Sequence, residues 1–350
     1  MKIKKNHSKC SSCGGNLVYD AKSQNLFCNN CNRTIEIEKI NCIDKKDYNL
    51  TTNTINNERK TTNCSSCGAQ IEIKEREITK TCPYCNNNFV LEINEINGIK
   101  PDLIIPFQFN KEEAIEKYKL GVKKKFFLPN KFKKSADFSS IYGTYISSFS
   151  FDSYTKSTYN GRLSETETYT DSNGKSHSKT TYQNISGKKD IQFENIIAEA
   201  SSLTNQKLFE EIKPYNINEK TTYVYNPDFI RGYAVETNDN SLENCKVVSE
   251  NLMKEKIKKI ILSKYFYDRV EYFNLNTTFL NNKYSYMLVP VYFININYKN
   301  KTYTTYLNGQ TGKLGENLPK SKWKIALTIG LPILIFIIIF ILANVLPHVL

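Results

Sequence analysis

Eight of the ten cysteines fall into one spacing written twice. Cys10, Cys13, Cys28 and Cys31 form a C-x-x-C, fourteen intervening residues and a second C-x-x-C; Cys64, Cys67, Cys82 and Cys85 repeat it at a constant offset (64 − 10 = 82 − 28 = 54). Two cysteines on one tight turn aim both thiolates at a single ion, and two such turns close a tetrahedral S4 cage, the geometry of structural zinc. A rubredoxin-like iron site uses the same four thiolates, and disulfides are a third use of the pattern. The start, MKIKKNHSKCSSC, is charged and has no apolar run after it, so it does not read as a secretory signal. The spacing therefore predicts two structural Zn2+ ions, one for each set of four. Cys42 and Cys245 stand outside the pattern and are expected to be ordinary thiols.

The cages need turns and strands to hold them. Gly14 and Gly68 follow the first pair of each copy and Asn32 and Asn86 the second, all residue types that accept a left-handed backbone. The runs NLVY, TIEIEKI, QIEIKE and NFVLEI are short and β-rich. Each copy is thus expected to be a three-stranded zinc ribbon, over residues 1–40 and 64–98. Units this small bury little apolar surface, so metal should supply most of their folding free energy. Residues 41–63 are polar and without apolar periodicity, which predicts a flexible linker that lets the ribbons move independently.

The other end of the chain is apolar. Ile325 to Val345 reads IALTIGLPILIFIIIFILANV without one charge, long enough at helical rise to cross about 30 Å of hydrocarbon. Residues 323–346 are expected to form a transmembrane helix, with Pro332 tolerated inside it. Lys320, Lys322 and Lys324 precede the span beside Trp323, the single tryptophan, on a basic juxtamembrane stretch at 316–322, whereas PHVL follows without a basic residue. Positive residues stay inside, so the bulk of the chain is expected in the cytoplasm, tail-anchored in the cell membrane, where a reducing environment favours metal over disulfides.

The net charge of +13 suggests nucleic acid, but only six of the 48 basic residues are arginine, the side chain suited to bidentate phosphate and base contacts. The ribbons carry few stacking aromatics, and the charges between the cysteines of the second copy cancel. The densest basic stretch, KKKFFLPNKFKK at 123–134, interleaves lysine with Phe126, Phe127 and Phe132. It suits single-stranded bases or anionic headgroups, and equally a solvated helix end followed by core aromatics.

Residues 99–315 predict a β-rich antiparallel α+β body. A helix should open near Asn110 with Glu112 and Glu113 in its first turn. Residues 141–195 read as a meander with turns at NGR and DSNGKS. A helix capped by Thr204 should follow, then a longer one over 242–266 with Leu242, Cys245, Val248, Leu252, Ile257, Ile260 and Ile261 on one face. A last β block ends on an Asn308-Gly309 turn.

The double cysteine set followed by IIPFQF, GTYISSFSFD, PDFIRGYAVE, LVPVYFININYKNKTYTTYLNGQTGKLGE and a terminal span resembles the bacterial zinc-ribbon membrane proteins of unassigned biochemical role, some of them labelled primosomal helicase or replication-restart proteins. The likeness runs over nearly the whole chain. It departs where that family tends to have tryptophan, at Phe149 and Tyr292. A helicase would need a phosphate-cradling G-x-x-x-x-G-K-[ST]; the one GKS, Gly174 to Ser176, has Tyr169 where the first glycine belongs, and GQTGKL at Gly309 lacks the spacing and the hydroxyl. His7, His177 and His348 stand near no nucleophile motif. The expectation is a non-enzymatic, membrane-anchored adaptor that binds a protein partner through its ribbons and body, with a membrane-tethered nucleic-acid binder as the alternative.

Overall fold

The computed structural model describes residues 9–41, 44–48, 60–64, 68–73, 79–81, 88–90, 100–134, 141–201, 205–236, 240–299, 301–315 and 317–345. It is a mixed α+β chain whose N-terminal third is made of short strands. β1 (Leu17–Asp20), β2 (Asn25–Cys28) and β3 (Thr34–Ile35) form a three-stranded antiparallel sheet. β4 (Lys46–Asp47) comes next, followed by β5 (Lys60–Asn63) paired with β6 (Gln70–Ile73), and β7 (Thr79–Thr81) paired with β8 (Asn88–Val90).

The body follows in the order β9 (Leu103–Ile104), α1 (Lys111–Lys124), α2 (Asn130–Lys134), β10 (Tyr142–Thr170), β11 (Ser176–Glu199), α3 (Gln206–Ile212), β12 (Tyr223–Val224), a 3-10 turn at Pro227–Ile230, β13 (Ala234–Glu236), α4 (Leu242–Leu262), β14 (Arg269–Tyr298) and β15 (Lys301–Asn308). Eight strands make one sheet, ordered β11-β10-β14-β9-β12, with β13 on β10 and both β15 and β4 on β14. All its pairs are antiparallel except β10 with β13 and β14 with β9.

Two of these strands are very long, 29 residues in β10 and 30 in β14. Their Tyr-, Thr-, Phe- and Ser-rich sequences fit a pleated surface, and they pair from Tyr142↔Phe293 out to Ser164↔Arg269. β11 doubles back along β10 to complete a three-stranded arm that closes at Thr170↔Ser176. The expected turn at DSNGKS is that closure, where Gly174 takes φ +78° and its N–H donates to the Asp171 carbonyl at 3.0 Å. The expected turn at NGR does not occur, because Asn160 to Arg162 run straight through β10. Gly161 is needed there for approach rather than reversal, since a Cβ would lie 2.9 Å from the Tyr272 carbonyl oxygen on β14.

α4 covers the inner half of the arm. Cys245, Ser249, Met253, Ile257 and Ile261 are buried, a row repeating every four residues, and the apolar ones pack on Phe149, Phe151 and Phe193. The expected face included Ile260, which is instead 39% exposed, and omitted Met253. A helix lying along a twisted sheet buries the i, i+4 row set by the sheet, which helical periodicity alone does not select. α1 opens as expected, with Asn110 and Glu113 forming a reciprocal capping box. At α3 the cap is Asn205, whose side chain accepts from the Leu208 N–H, rather than Thr204, which lies outside the described residues. Phe149 and Tyr292 are both core: Phe149 packs with Tyr286, and Tyr292 stacks on Phe109 and donates its hydroxyl to the Phe109 carbonyl.

α5 (Lys322–Val345) ends the described chain. Its window Lys322–Phe340 has a mean hydropathy of 2.4, and every side chain from 326 to 340 is exposed. It is long and apolar enough to cross a membrane, with Pro332 inside it.

Candidate metal centre

The first cysteine set closes on itself. The four Sγ atoms of Cys10, Cys13, Cys28 and Cys31 all lie within 4.8 Å of one another, with Cys10 to Cys31 at 3.6 Å and Cys13 to Cys28 at 3.5 Å. A disulfide would need about 2.05 Å, whereas four sulfurs at about 2.3 Å from one zinc sit about 3.8 Å apart. The sulfurs stand apart as four ligands of one metal ion would, not as disulfide partners. Cys10 and Cys28 are buried and Cys13 and Cys31 exposed, so the cage is open on one side to water.

Two equal knuckles build it. Gly14 takes φ +70° and donates to the Cys10 carbonyl at 2.8 Å, and the Cys10 N–H donates to the Gly15 carbonyl at 2.8 Å. Asn32, at φ +57°, donates to the Cys28 carbonyl at 2.9 Å, and the Cys28 N–H to the Arg33 carbonyl at 2.9 Å. Gly15 is the residue the spacing did not single out: a Cβ there would lie 3.2 Å from the Cys28 sulfur and 3.3 Å from that of Cys13. The double glycine after CSSC is the local sign of it.

The thiols divide their protons unevenly. Hydrogen bonds from the Asn30 side chain and the Gly15 backbone hold Cys13 down to about 6, and the Ser12 and Cys13 backbone lowers Cys10. At Cys31 the Arg33 backbone pulls downward, but the Cys13 thiol, burial and the other two sulfurs outweigh it and push the group up to about 12. A dication held by the four sulfurs would displace thiol protons as it binds.

Of the second set, Cys64 is buried, while Cys67, Cys82 and Cys85 lie outside the described residues. Among the described residues, one four-cysteine cluster is therefore seen. The repeat nonetheless extends from spacing to backbone. Gly68 takes φ +74° and donates to the Cys64 carbonyl, and the Cys64 N–H donates to the Ala69 carbonyl, the same two bonds made at Cys10. Asn63↔Gln70 stands 54 residues after the Lys9↔Asn16 bridge, and Lys80↔Phe89 and Thr81↔Asn88 stand 54 after Leu26↔Ile35 and Phe27↔Thr34. The strands described there make two two-stranded pieces instead of one three-stranded sheet.

The first ribbon is joined to the body. Leu17, Tyr19, Leu26, Cys28 and Ile37 share one buried cluster with Phe107, Phe229 and Tyr292. The Tyr19 hydroxyl and the Gln24 amide both donate to the Phe107 carbonyl, at 3.1 and 2.7 Å, and the Tyr19 N–H donates to the Arg231 carbonyl. Tyr19 meets Phe229 edge to face, and Phe107 stacks on Tyr233 at 4.3 Å. The residues expected to be a mobile linker also take part. Asn41 bridges Tyr223, β4 pairs with β14, and Lys45 is buried against Asp152 at 2.5 Å, Asn195 at 2.8 Å and Ser150 at 3.1 Å. At this end the segment is docked rather than loose.

Other candidate groups are placed singly. His177 lies at the tip of the arm, 2.8 Å from Asp171, while His7 and His348 lie outside the described residues. GQTGKL is a turn in which the buried Asn308 side chain accepts from the Gln310 and Thr311 N–H groups. No protein-family profile matches the chain, and no solved structure matches it. It is 24% identical over 321 residues, 91% of each chain, to a protein of Bacillus subtilis (strain 168) described as uncharacterized protein YdjG.

Proposed function

We propose that this is a tail-anchored, cytosol-facing adaptor in which two structural zinc ions shape a surface for a protein partner, without catalysis of its own. The observation that carries the reading is the cage of Cys10, Cys13, Cys28 and Cys31, whose ribbon shares its core with the body. A metal placed so staples an N-terminal layer onto a large sheet. It presents no ligand position to a substrate, because four thiolates fill a tetrahedral site. The second ion is assigned to Cys64, Cys67, Cys82 and Cys85 on the strength of the repeated knuckle and register. Orientation rests on the lysines at 320, 322 and 324.

Further support comes from the buried charges. Lys45 with Asp152 ties the segment after the first ribbon to β10. Elemental analysis of the purified chain tests the metal half of the proposal: two zinc ions per chain are expected, and one, or iron, would reject it. Crosslinking in intact cells tests the other half. A protein captured by the full chain and lost when Cys13→Ser opens the first ribbon supports an adaptor, while recovery of nucleic acid instead of protein rejects it.

A further inference from the structure

The stretch 123–134 carries six lysines and three phenylalanines, and the fold gives the three rings different places. Phe132 is fully buried and meets Tyr298 and Tyr303 edge to face, so it belongs to the core. Phe126 and Phe127 face outward, 59% and 43% exposed, in contact with each other. Their position is set by the root of α5. Lys324 donates its ammonium to the Phe126 and Leu128 carbonyls at 3.0 and 2.9 Å and to the Asn130 side chain at 2.9 Å, and the Ser321 N–H donates to the Phe127 carbonyl at 2.7 Å. Four hydrogen bonds therefore clamp this loop to the first turn of the apolar helix.

That clamp fixes depth. Residues 321–324 rise about 5 Å along a helix axis, so the backbone bond from Ser321 to Phe127 puts the Phe127 main chain about one helical turn from Trp323. Trp323 is 75% exposed and stands where the chain passes from lysine to unbroken apolar sequence, the position of an interfacial aromatic. The same stretch carries Lys123, Lys124, Lys131 and Lys134, all exposed; Lys320 and Lys322, also exposed, precede and open α5, and the Lys324 ammonium lies 5.3 Å from the Phe126 ring centre. Positive charge accumulates there: burial and the Lys324 charge together push the Lys133 ammonium down. Exposed aromatic rings in a lysine-rich stretch clamped to the root of an apolar helix match a surface of anionic headgroups over hydrocarbon.

We infer that the stretch 123–134 is a second membrane contact, in which Phe126 and Phe127 enter the headgroup layer beside Trp323 and the lysines bind anionic phospholipid. The body then lies on the bilayer in one orientation instead of swinging on residues 316–322. This rests on the reading that α5 spans the membrane.

The test uses the full chain reconstituted in vesicles rich in anionic phosphatidylglycerol. Trp323 is the single tryptophan, so Trp323→Phe combined with Phe126→Trp, or in a second variant with Phe127→Trp, leaves one reporter at each exposed position. The expected result is blue-shifted emission quenched by lipids brominated near the glycerol, and less quenching when Lys123 and Lys124 are changed to Gln. The unaltered chain, reporting through Trp323, separates the two readings. If Trp323 is quenched while both new reporters keep aqueous emission, the span stands and the loop contact is wrong. If Trp323 itself is unquenched, both fall. Quenching of the new reporters by an oligonucleotide in detergent, without quenching by lipid, also overturns the inference, because the patch is then a nucleic-acid surface.

Discussion

Gly309 has no room for a side chain. A Cβ there would lie 2.6 Å from the Phe107 ring and 2.8 Å from Pro290, so Gly309→Ala overpacks the junction between ribbon and body. The expected cost is about 1–3 kcal/mol, read as a lower urea midpoint with an unchanged slope. The turn itself is legible in Asn308-Gly309, but the reason for this glycine is an aromatic ring two hundred positions away, and no local pattern reports it. Lys45 carries the same lesson in the opposite direction. It sits in a polar stretch that reads as linker, yet its ammonium is buried beside Asp152 and Asn195. Lys45→Met should leave the Asp152 carboxylate without its counterion and destabilise the chain by about 3 kcal/mol in equilibrium unfolding.

At the scale of elements, the proposed zinc ions set the two cysteine sets apart. Cys67→Ser should halve the zinc content and leave the first cage filled, since the two sets share no cysteine. Cys13→Ser should also halve it but reach further, because β1 and β2 share a core with Phe107 and Phe229. Hydrogen exchange measured by mass spectrometry is expected to show faster exchange at residues 103–109 and 227–233 in Cys13→Ser; equal protection there in the two variants would show that the ribbon is not a support for the body. Cysteine spacing and knuckle residues made the first cage readable from sequence, down to the left-handed Gly14 and Asn32. The docking was not readable, because Tyr19 and Gln24 reach the Phe107 carbonyl across more than eighty residues. The arm was half readable: alternating Tyr, Thr and Ser announce strands, but a glycine in mid-strand looks like a turn until the neighbouring strand is known.

For the whole molecule, the proposed anchor and the body should be separable by a cut after Lys324, which keeps the hydrogen bonds from that ammonium to the 126–130 stretch. The shortened chain is expected to leave the membrane fraction when salt is raised, whereas the full chain stays. A shortened chain that resists salt would place a second hydrophobic anchor in the body. The apolar run was plain in the sequence, while the loop clamped to its root joins residues separated by nearly two hundred positions. The three-stranded arm has its own consequence for how much space the protein occupies. A strand of 29 residues is at most about 95 Å long, while a compact chain of about 320 residues has a radius of gyration of about 20 Å. Small-angle scattering of the shortened chain should thus give a distance distribution with a long tail beyond the globular maximum. The reach of the molecule is then set by the sweep of that arm and not by the girth of the body.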